Sequence, residues 1–215
     1  MAVTTAYATA AEFRARVSKQ DTGDDTDLGE ALLAASRMIE DDLGRVFNAS
    51  AANKARWFDG GGAAVLRVDD LQSIDAEGIA VDTTGDGTLD TTFDLTTETW
   101  VISEPYNASE LGQPITALRL LPLSGASASV GEVLTAWPQG KHNIKITGTW
   151  GWAAVPDAIR EYCCLLARDL RDSLEGGPGA QLVDLGEGSV PLQTDTRRLR
   201  AMVRQAYHRR IPAIA

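Results

Sequence analysis

One uninterrupted run, Ile144 to Leu170, constrains the fold more than any other part of the chain. Ile144, Ile146 and Trp150 fall on one face of an extended segment, with Gly148 between them, while Asn143, Lys145, Thr147 and Thr149 fall on the other. Gly151 and Trp152 turn a corner. Pro156 needs no N–H and suits a first helical turn, and Asp157 complements the positive end of the helix dipole. Ile159, Cys163, Leu166, Leu170 and Leu174 then recur at three- and four-residue steps, the stripe of an amphipathic helix. A strand that hands over directly to a helix requires a fold in which a sheet and a helical layer share one chain. Nothing in the run can do chemistry.

Upstream, Thr9-Ala-Ala-Glu12 is a capping box that opens a short helix carrying Phe13 and Val17. Asp21 to Asp25 is a polar break. Asp27, with Glu30 three residues on, reads as a second cap. Leu28, Leu32, Ala35, Ile39 and Leu43 form a stripe that Gly44 stops. From Lys54 to Trp150 the period becomes strand-like. Trp57 and Phe58 precede an Asp59-Gly60-Gly61-Gly62 turn, and apolar runs follow at Val65–Val68, Gly78–Val81, Phe93–Leu95, Trp100–Ile102, Ile115–Leu121, Val133–Trp137 and Asn143–Trp150. Short strands at this spacing predict a compact antiparallel sheet or a small barrel. After the Pro156 helix, Glu175-Gly-Gly-Pro-Gly179 breaks the pattern, and a long loop or arm is expected up to Thr194. A last helix is expected from Asp195 to about Arg210, with Leu199, Met202, Val203 and Ala206 on one side and arginines over the rest.

The expected fold class is therefore α+β: a small α-helical bundle with an inserted antiparallel β-sheet or small barrel, and a C-terminal helical arm. The expected organisation is a bundle domain over residues 1–175, with 54–150 as the inserted β region, and a flexible arm plus basic helix over 176–215. At 215 residues the chain buries about 70% of its unfolded surface, enough for a core without disulfides or metal. Cys163 and Cys164 are adjacent and poorly placed to bond each other; Cys163 reads as core and Cys164 as flanking it, in a reducing compartment. Residues 1–20 lack an apolar run, and no run is long enough to span a membrane.

Charge is divided unevenly. The formal net charge is −10, yet from Thr196 onward there are six arginines (Arg197, Arg198, Arg200, Arg204, Arg209, Arg210) and no acid. The remaining 195 residues carry 14 Lys and Arg against 30 Asp and Glu, a net −16. Such a body repels nucleic acid and anionic membranes. The basic tail is either a solvated helix face or a contact for an acidic partner or nucleic acid.

Catalytic and cofactor signatures are missing. The two histidines, His142 and His208, have no nucleophile motif near them, and no phosphate loop, dinucleotide fingerprint or zinc spacing occurs. No catalytic, cofactor-binding or metal-ligating residue is assigned, and no cofactor is expected. Asp82-Thr-Thr-Gly-Asp86-Gly-Thr-Leu-Asp90 echoes a calcium loop, but Phe93 stands where a bidentate Glu belongs and the flanks read as strands. It is read as an Asp-Gly hairpin instead. Five tryptophans (57, 100, 137, 150 and 152) fit core and interface positions better than a sugar-binding platform.

Taken together, the chain resembles the head–tail connector, or adaptor, proteins of long-tailed bacteriophages with non-contractile tails, in the form found in phages of actinobacteria. Leu32 to Phe47 resembles the family's second helix, which ends in a Gly-Arg-x-Phe-like turn, here Gly44-Arg45-Val46-Phe47. Asp82 to Asp90, Trp100 to Ala108 and Gly112-Gln-Pro114 resemble its middle sheet region. Ile146-Thr-Gly-Thr-Trp-Gly-Trp152, followed by Val155-Pro156, is the most family-like signature. The resemblance implies a structural virion protein of the neck, assembled in the host cytoplasm. It implies a ring of copies, a dodecamer, under the portal protein, which extends the DNA channel and supports a head-closure (stopper) or tail-completion protein. Double-stranded DNA would pass without specific binding, and no membrane is involved. The C-terminal segment is implied to dock on the portal, with the six arginines as the candidate contacts. Two other readings stay open: a nucleic-acid-binding module acting through the basic tail, and a calcium-stabilised carbohydrate-binding module.

Overall fold

The computed structural model describes residues 5–17, 25–93, 100–121, 134–174, 181–184, 189–192 and 194–208. The chain divides into two compact units, Met1–Asn48 with Val155–Ala215, and Ala49–Ala154. The first holds helices α1 (Ala10–Val17), α2 (Asp25–Leu43), α3 (Asp157–Leu174) and α4 (Thr194–Tyr207), and the second holds six strands. The class is α+β, with the sheet unit inserted between α2 and α3.

In the helical unit, the capping box forms as the sequence requires. The Thr9 N–H donates to Glu12 Oε2 at 2.7 Å, and the Glu12 N–H donates back to Thr9 Oγ1 at 3.2 Å. Helix α2 starts at Asp25, so Asp27 lies inside its first turn rather than capping it. Leu28, Leu32, Ala35, Ile39 and Leu43 are all buried. Each large member of the stripe contributes about 1.5–3 kcal/mol of burial. Gly44 ends the helix with φ 63° and donates its N–H to the Glu40 carbonyl at 2.7 Å. Helix α3 is buried over more than its expected stripe: Tyr162, Cys164, Ala167 and Asp169 join Ile159, Cys163 and Leu166 in the interior. Burial raises the pKa of both cysteine thiols.

The sheet runs in the order β1-β6-β2-β5-β4, with β3 also on β2, and every pair is antiparallel. The strands are β1 (Lys54–Gly60), β2 (Val65–Val81), β3 (Thr91–Phe93), β4 (Val101–Glu104), β5 (Ile115–Leu120) and β6 (Gly140–Trp150). It is an open sheet with edges at β1 and β4, not a barrel. Val65–Val68 and Gly78–Val81 are the two ends of one long strand, β2, whose register against β6 shifts between Ile74 and Ile79. β2 pairs with three strands, β6, β5 and β3, and the bulge marks the break in its ladder with β6. Over its described residues the Val133–Trp137 run is not a strand; the Trp137 ring fills the core and its Nε1–H donates to the Leu118 carbonyl at 3.2 Å. Asn143, on the polar side of β6, is also buried. Its Oδ1 accepts from the Gly60 N–H and its Nδ2 donates to the Pro138 carbonyl, both at 2.9 Å. The chain enters and leaves this unit at one place: the Ser50 N–H donates to the Trp150 carbonyl at 2.6 Å, and the Trp150 N–H donates to Ser50 Oγ at 2.9 Å.

The expected loop between Gly179 and Thr194 contains a small antiparallel ribbon, β7 (Gln181–Asp184) with β8 (Ser189–Leu192). Among the described residues no helix is long and apolar enough to cross a membrane.

Gly148 has no room for a side chain, because a Cβ there would lie 2.2 Å from the Ser73 carbonyl oxygen. Gly29, exposed within α2, has nothing within 4 Å. Gly148→Ala is therefore expected to lower the melting temperature, and Gly29→Ala to raise stability by about 0.8–1 kcal/mol. Thermal denaturation of the two variants beside the parent reads both signs.

Candidate partner-docking site

Helix α4 carries four of the six arginines, and its inner face is polar. Thr196 and Val203 are fully buried, and Arg200 and Tyr207 lie on the same side at helical spacing. Met202 and Ala206, which the apolar pattern assigns to the inner face, are exposed instead, Met202 by 59%. The face is turned by a charge. Asp42, near the end of α2, is buried with its side chain 3% exposed, and Arg200 closes on it as a fork. Arg200 Nη2 donates to Asp42 Oδ1 at 2.6 Å and Nε donates to Oδ2 at 3.1 Å. Arg204 Nε stands 3.7 Å from the same Oδ1 but is half-exposed. A buried carboxylate without a partner costs several kcal/mol, far more than leaving one methionine in water, so the carboxylate decides which side of α4 faces in.

The environment of this pair is incompletely satisfied. The Tyr162 hydroxyl and Thr196 Oγ1 are buried with no hydrogen-bond partner among the described residues. Burial pushes the Tyr162 pKa up, and Asp42 pushes it further, while Arg200 and Arg204 oppose the rise. Asp169, also buried, accepts from Arg168 Nη2 at 3.1 Å.

The far end of α4 is held by the turn after α2. Arg45 Nη1 donates to the Tyr207 carbonyl at 3.2 Å, and the Tyr207 ring meets Phe47 edge-on at 5.8 Å. Phe47 in turn packs edge-on against Tyr7 at 5.7 Å, and its N–H donates to the Tyr7 hydroxyl, which donates to Glu40 at 2.6 Å. Gly44-Arg45-Val46-Phe47 is thus a clamp that joins α2, α4 and the N-terminal segment.

The six arginines are therefore not equivalent. Arg200 is consumed inside the helical unit and Arg204 partly so. Arg197 is half-buried with interactions of its own, and Arg198 is exposed on the outer side. Arg209 and Arg210 lie outside the described residues. Asp42 is the residue of this site that pattern reading passes over. Its signal is faint but present, an acid at the edge of the α2 stripe, next to Leu43.

The calcium-like loop joins β2 to β3 as a hairpin, with Val81 opposite Thr91. Two of its three carboxylates, Asp82 and Asp90, are engaged within the loop, and the third, Asp86, accepts the Thr88 N–H at 2.7 Å. Asp82 accepts the N–H groups of Gly85 at 2.6 Å, Gly87 at 2.8 Å and Thr84 at 3.1 Å, and Asp90 accepts from the Thr83 hydroxyl and N–H. Desolvation raises the pKa of each, but these hydrogen bonds outweigh it and hold both below the ordinary carboxylate range. No group of three or more His, Cys, Asp or Glu among the described residues is placed to hold a metal ion. Four of the five tryptophans turn inward to some degree; Trp57, 41% exposed, stacks on His142 with centroids 4.2 Å apart.

No protein-family model matches the chain, and no curated protein matches it. Among solved structures it is similar to a chain in the neck of an empty GTA particle computed with C6 symmetry. The identity is 16%, the match covers 99% of this chain and 97% of that one, and the TM-score is 0.46. A superposition that loose carries no inference about function.

Arg200→Ala is expected to destabilise the protein by about 3–5 kcal/mol, since it strands Asp42, whereas Arg198→Ala stays within about 0.5 kcal/mol of the parent. Tyr162→Phe, which removes an unsatisfied hydroxyl, is expected to be neutral or stabilising. Urea denaturation distinguishes the three. For the loop, a folded pKa below the unfolded value of about 3.9 stabilises the protein above that pH and is lost as pH falls through the folded value. The stability advantage of the parent over Asp82→Asn should therefore shrink on acidification, and added Ca²⁺ should leave the melting temperature unchanged.

Proposed function

We propose that this chain is a structural virion protein, a head–tail connector that sits as a ring under the portal, extends the DNA channel and supports head closure and tail attachment. The observation that carries this reading is topological. A helical unit is interrupted between α2 and α3 by an antiparallel sheet unit, which is the arrangement the sequence resemblance implies. The Gly44–Phe47 turn adds to it, because the motif that carries part of the resemblance is also the clamp on α4.

The proposed docking segment is residues 176–215, presented by the bundle, with Arg198, Arg209 and Arg210 as the contacts offered to carboxylates of the portal. The nucleic-acid reading is weakened by the same geometry. Duplex binding draws on clustered cations that neutralise several phosphates at once, and Asp42 already occupies Arg200 and faces Arg204. A body of net −16 opposes it further. The acidic surface suits a channel through which phosphates slide without adhering.

The test is binding of the purified chain to purified portal, followed by negative-stain microscopy. Rings are expected beneath the portal. Arg198→Glu combined with Arg209→Glu should weaken the association about tenfold or more, with the melting temperature unchanged. Tight, steeply salt-dependent binding to random duplex DNA, with no association with portal, would overturn the connector reading. Deleting residues 195–215 is the poorer test, because it also removes the partner of Asp42.

A further inference from the structure

Two hydroxyls inside the helical unit, Tyr162 Oη and Thr196 Oγ1, have no protein partner among the described residues. Both residues are fully buried, at 0% exposure. Tyr162 belongs to α3 and Thr196 to the first turn of α4, and these two helices pack together. Interior hydroxyls are as a rule hydrogen-bonded, because a donor taken out of water and given no acceptor is costly. Ser36 and Asn143, also buried, follow the rule. Ser36 Oγ donates to the Leu32 carbonyl at 2.7 Å, and Asn143 is bonded at both ends of its amide.

The surroundings of the two hydroxyls are shared. Thr196 lies one turn before Arg200 on the same face of α4, and Arg200 is forked onto Asp42. Tyr162 approaches the same ion pair from α3. After burial itself, Asp42 acts most strongly on its hydroxyl, followed by Arg200. Yet the hydroxyl is not bonded to Asp42, although that carboxylate has capacity to spare. Its oxygens offer about four lone-pair sites, and the fork takes one on each oxygen. A donor and an unsaturated acceptor are thus neighbours in a buried place without meeting.

We propose that a water molecule is held in the α3–α4 seam beside the Asp42–Arg200 fork, accepting from the Tyr162 hydroxyl, donating to Asp42 and closing on Thr196 Oγ1. About three hydrogen bonds are the usual complement of an interior water. The three groups supply them, since a hydroxyl works in either direction and a carboxylate accepts. An ion suits the place less well. Arg200 already neutralises Asp42, so chloride or sodium would bring an uncompensated charge into the interior. An apolar occupant would leave both hydroxyls bare. The basic helix is then seated partly through solvent: the fork sets its rotation, and the water completes the polar contact next to the fork. The site stands whether or not the chain is a connector.

Stability alone does not read this site, because release of an ordered water returns entropy that offsets the lost hydrogen bond, in keeping with the neutral effect expected of Tyr162→Phe. Oxygen-17 magnetic relaxation dispersion does read it, by counting the waters that a protein holds for longer than its own tumbling time. Full-length parent, Tyr162→Phe and the Tyr162→Phe, Thr196→Val double variant are compared. The double variant is expected to hold one long-lived water fewer than the parent, and Tyr162→Phe alone to shorten the residence of that water about tenfold. A crystal structure of the parent that shows ordered water should place one within hydrogen-bonding distance of Tyr162 Oη, Thr196 Oγ1 and an Asp42 oxygen. Should the double variant fail to fold, Tyr162→Phe and the crystal carry the test. Equal numbers and residence times of long-lived waters in parent and variants, a direct Tyr162–Asp42 hydrogen bond, or a bromide-exchangeable ion in the seam would overturn the proposal.

Discussion

A carboxylate buried among helices has to be answered, and in this protein the answer comes from the last helix of the chain. Asp42 near the end of α2 is neutralised by the forked guanidinium of Arg200. That single pairing fixes which face of α4 turns inward, leaves Met202 in water, and subtracts charge from a tail that looks uniformly basic in the sequence. The net stability of such a pair is small, because desolvating two ions offsets most of their attraction. What it contributes is orientation. An apolar face of Leu199, Met202, Val203 and Ala206 could seat α4 in a different rotation, and the Asp42–Arg200 fork admits one.

The parts of the fold set by local rules were open to reading from the residues alone. The Thr9–Glu12 capping box, the α2 stripe, the Gly44 stop and the start of α3 after Pro156 each depend on neighbours in sequence, and each stands where those neighbours put it. One local expectation failed, the Asp27 cap, because α2 begins two residues earlier at Asp25; the other failures depend on distant partners. β2 looked like two strands because its bulged middle, paired in shifted register, has no clean alternation. Trp137 looked like part of a strand because a core aromatic has the same signature whether its backbone is extended or irregular. Asn143 and Asp42, polar residues on or beside polar faces, are buried because a turn carbonyl in one case and a remote arginine in the other were there to meet them.

The candidate site shows the same division. The presence of six arginines and no acid after Asp195 was plain, but the sorting of those arginines was not. Arg198 and Arg200 are two residues apart and identical in type. One is exposed and the other closes an internal ion pair, and only the rotation of α4 separates them.

The close approach of Ser50 to Trp150, where the chain enters and leaves the sheet unit, bears on the order in which the molecule is made. Residues 49–154 are contiguous and can complete their sheet as soon as they leave the ribosome. The helical unit cannot. Asp42 is synthesised 158 residues ahead of Arg200, an interval of roughly 8–32 s at elongation rates of about 5–20 residues per second. For most of that interval neither α3 nor α4 has been made to cover the α2 stripe. The first helices made are among the last to be secured, and the sheet in the middle of the sequence is the first part of the protein to finish.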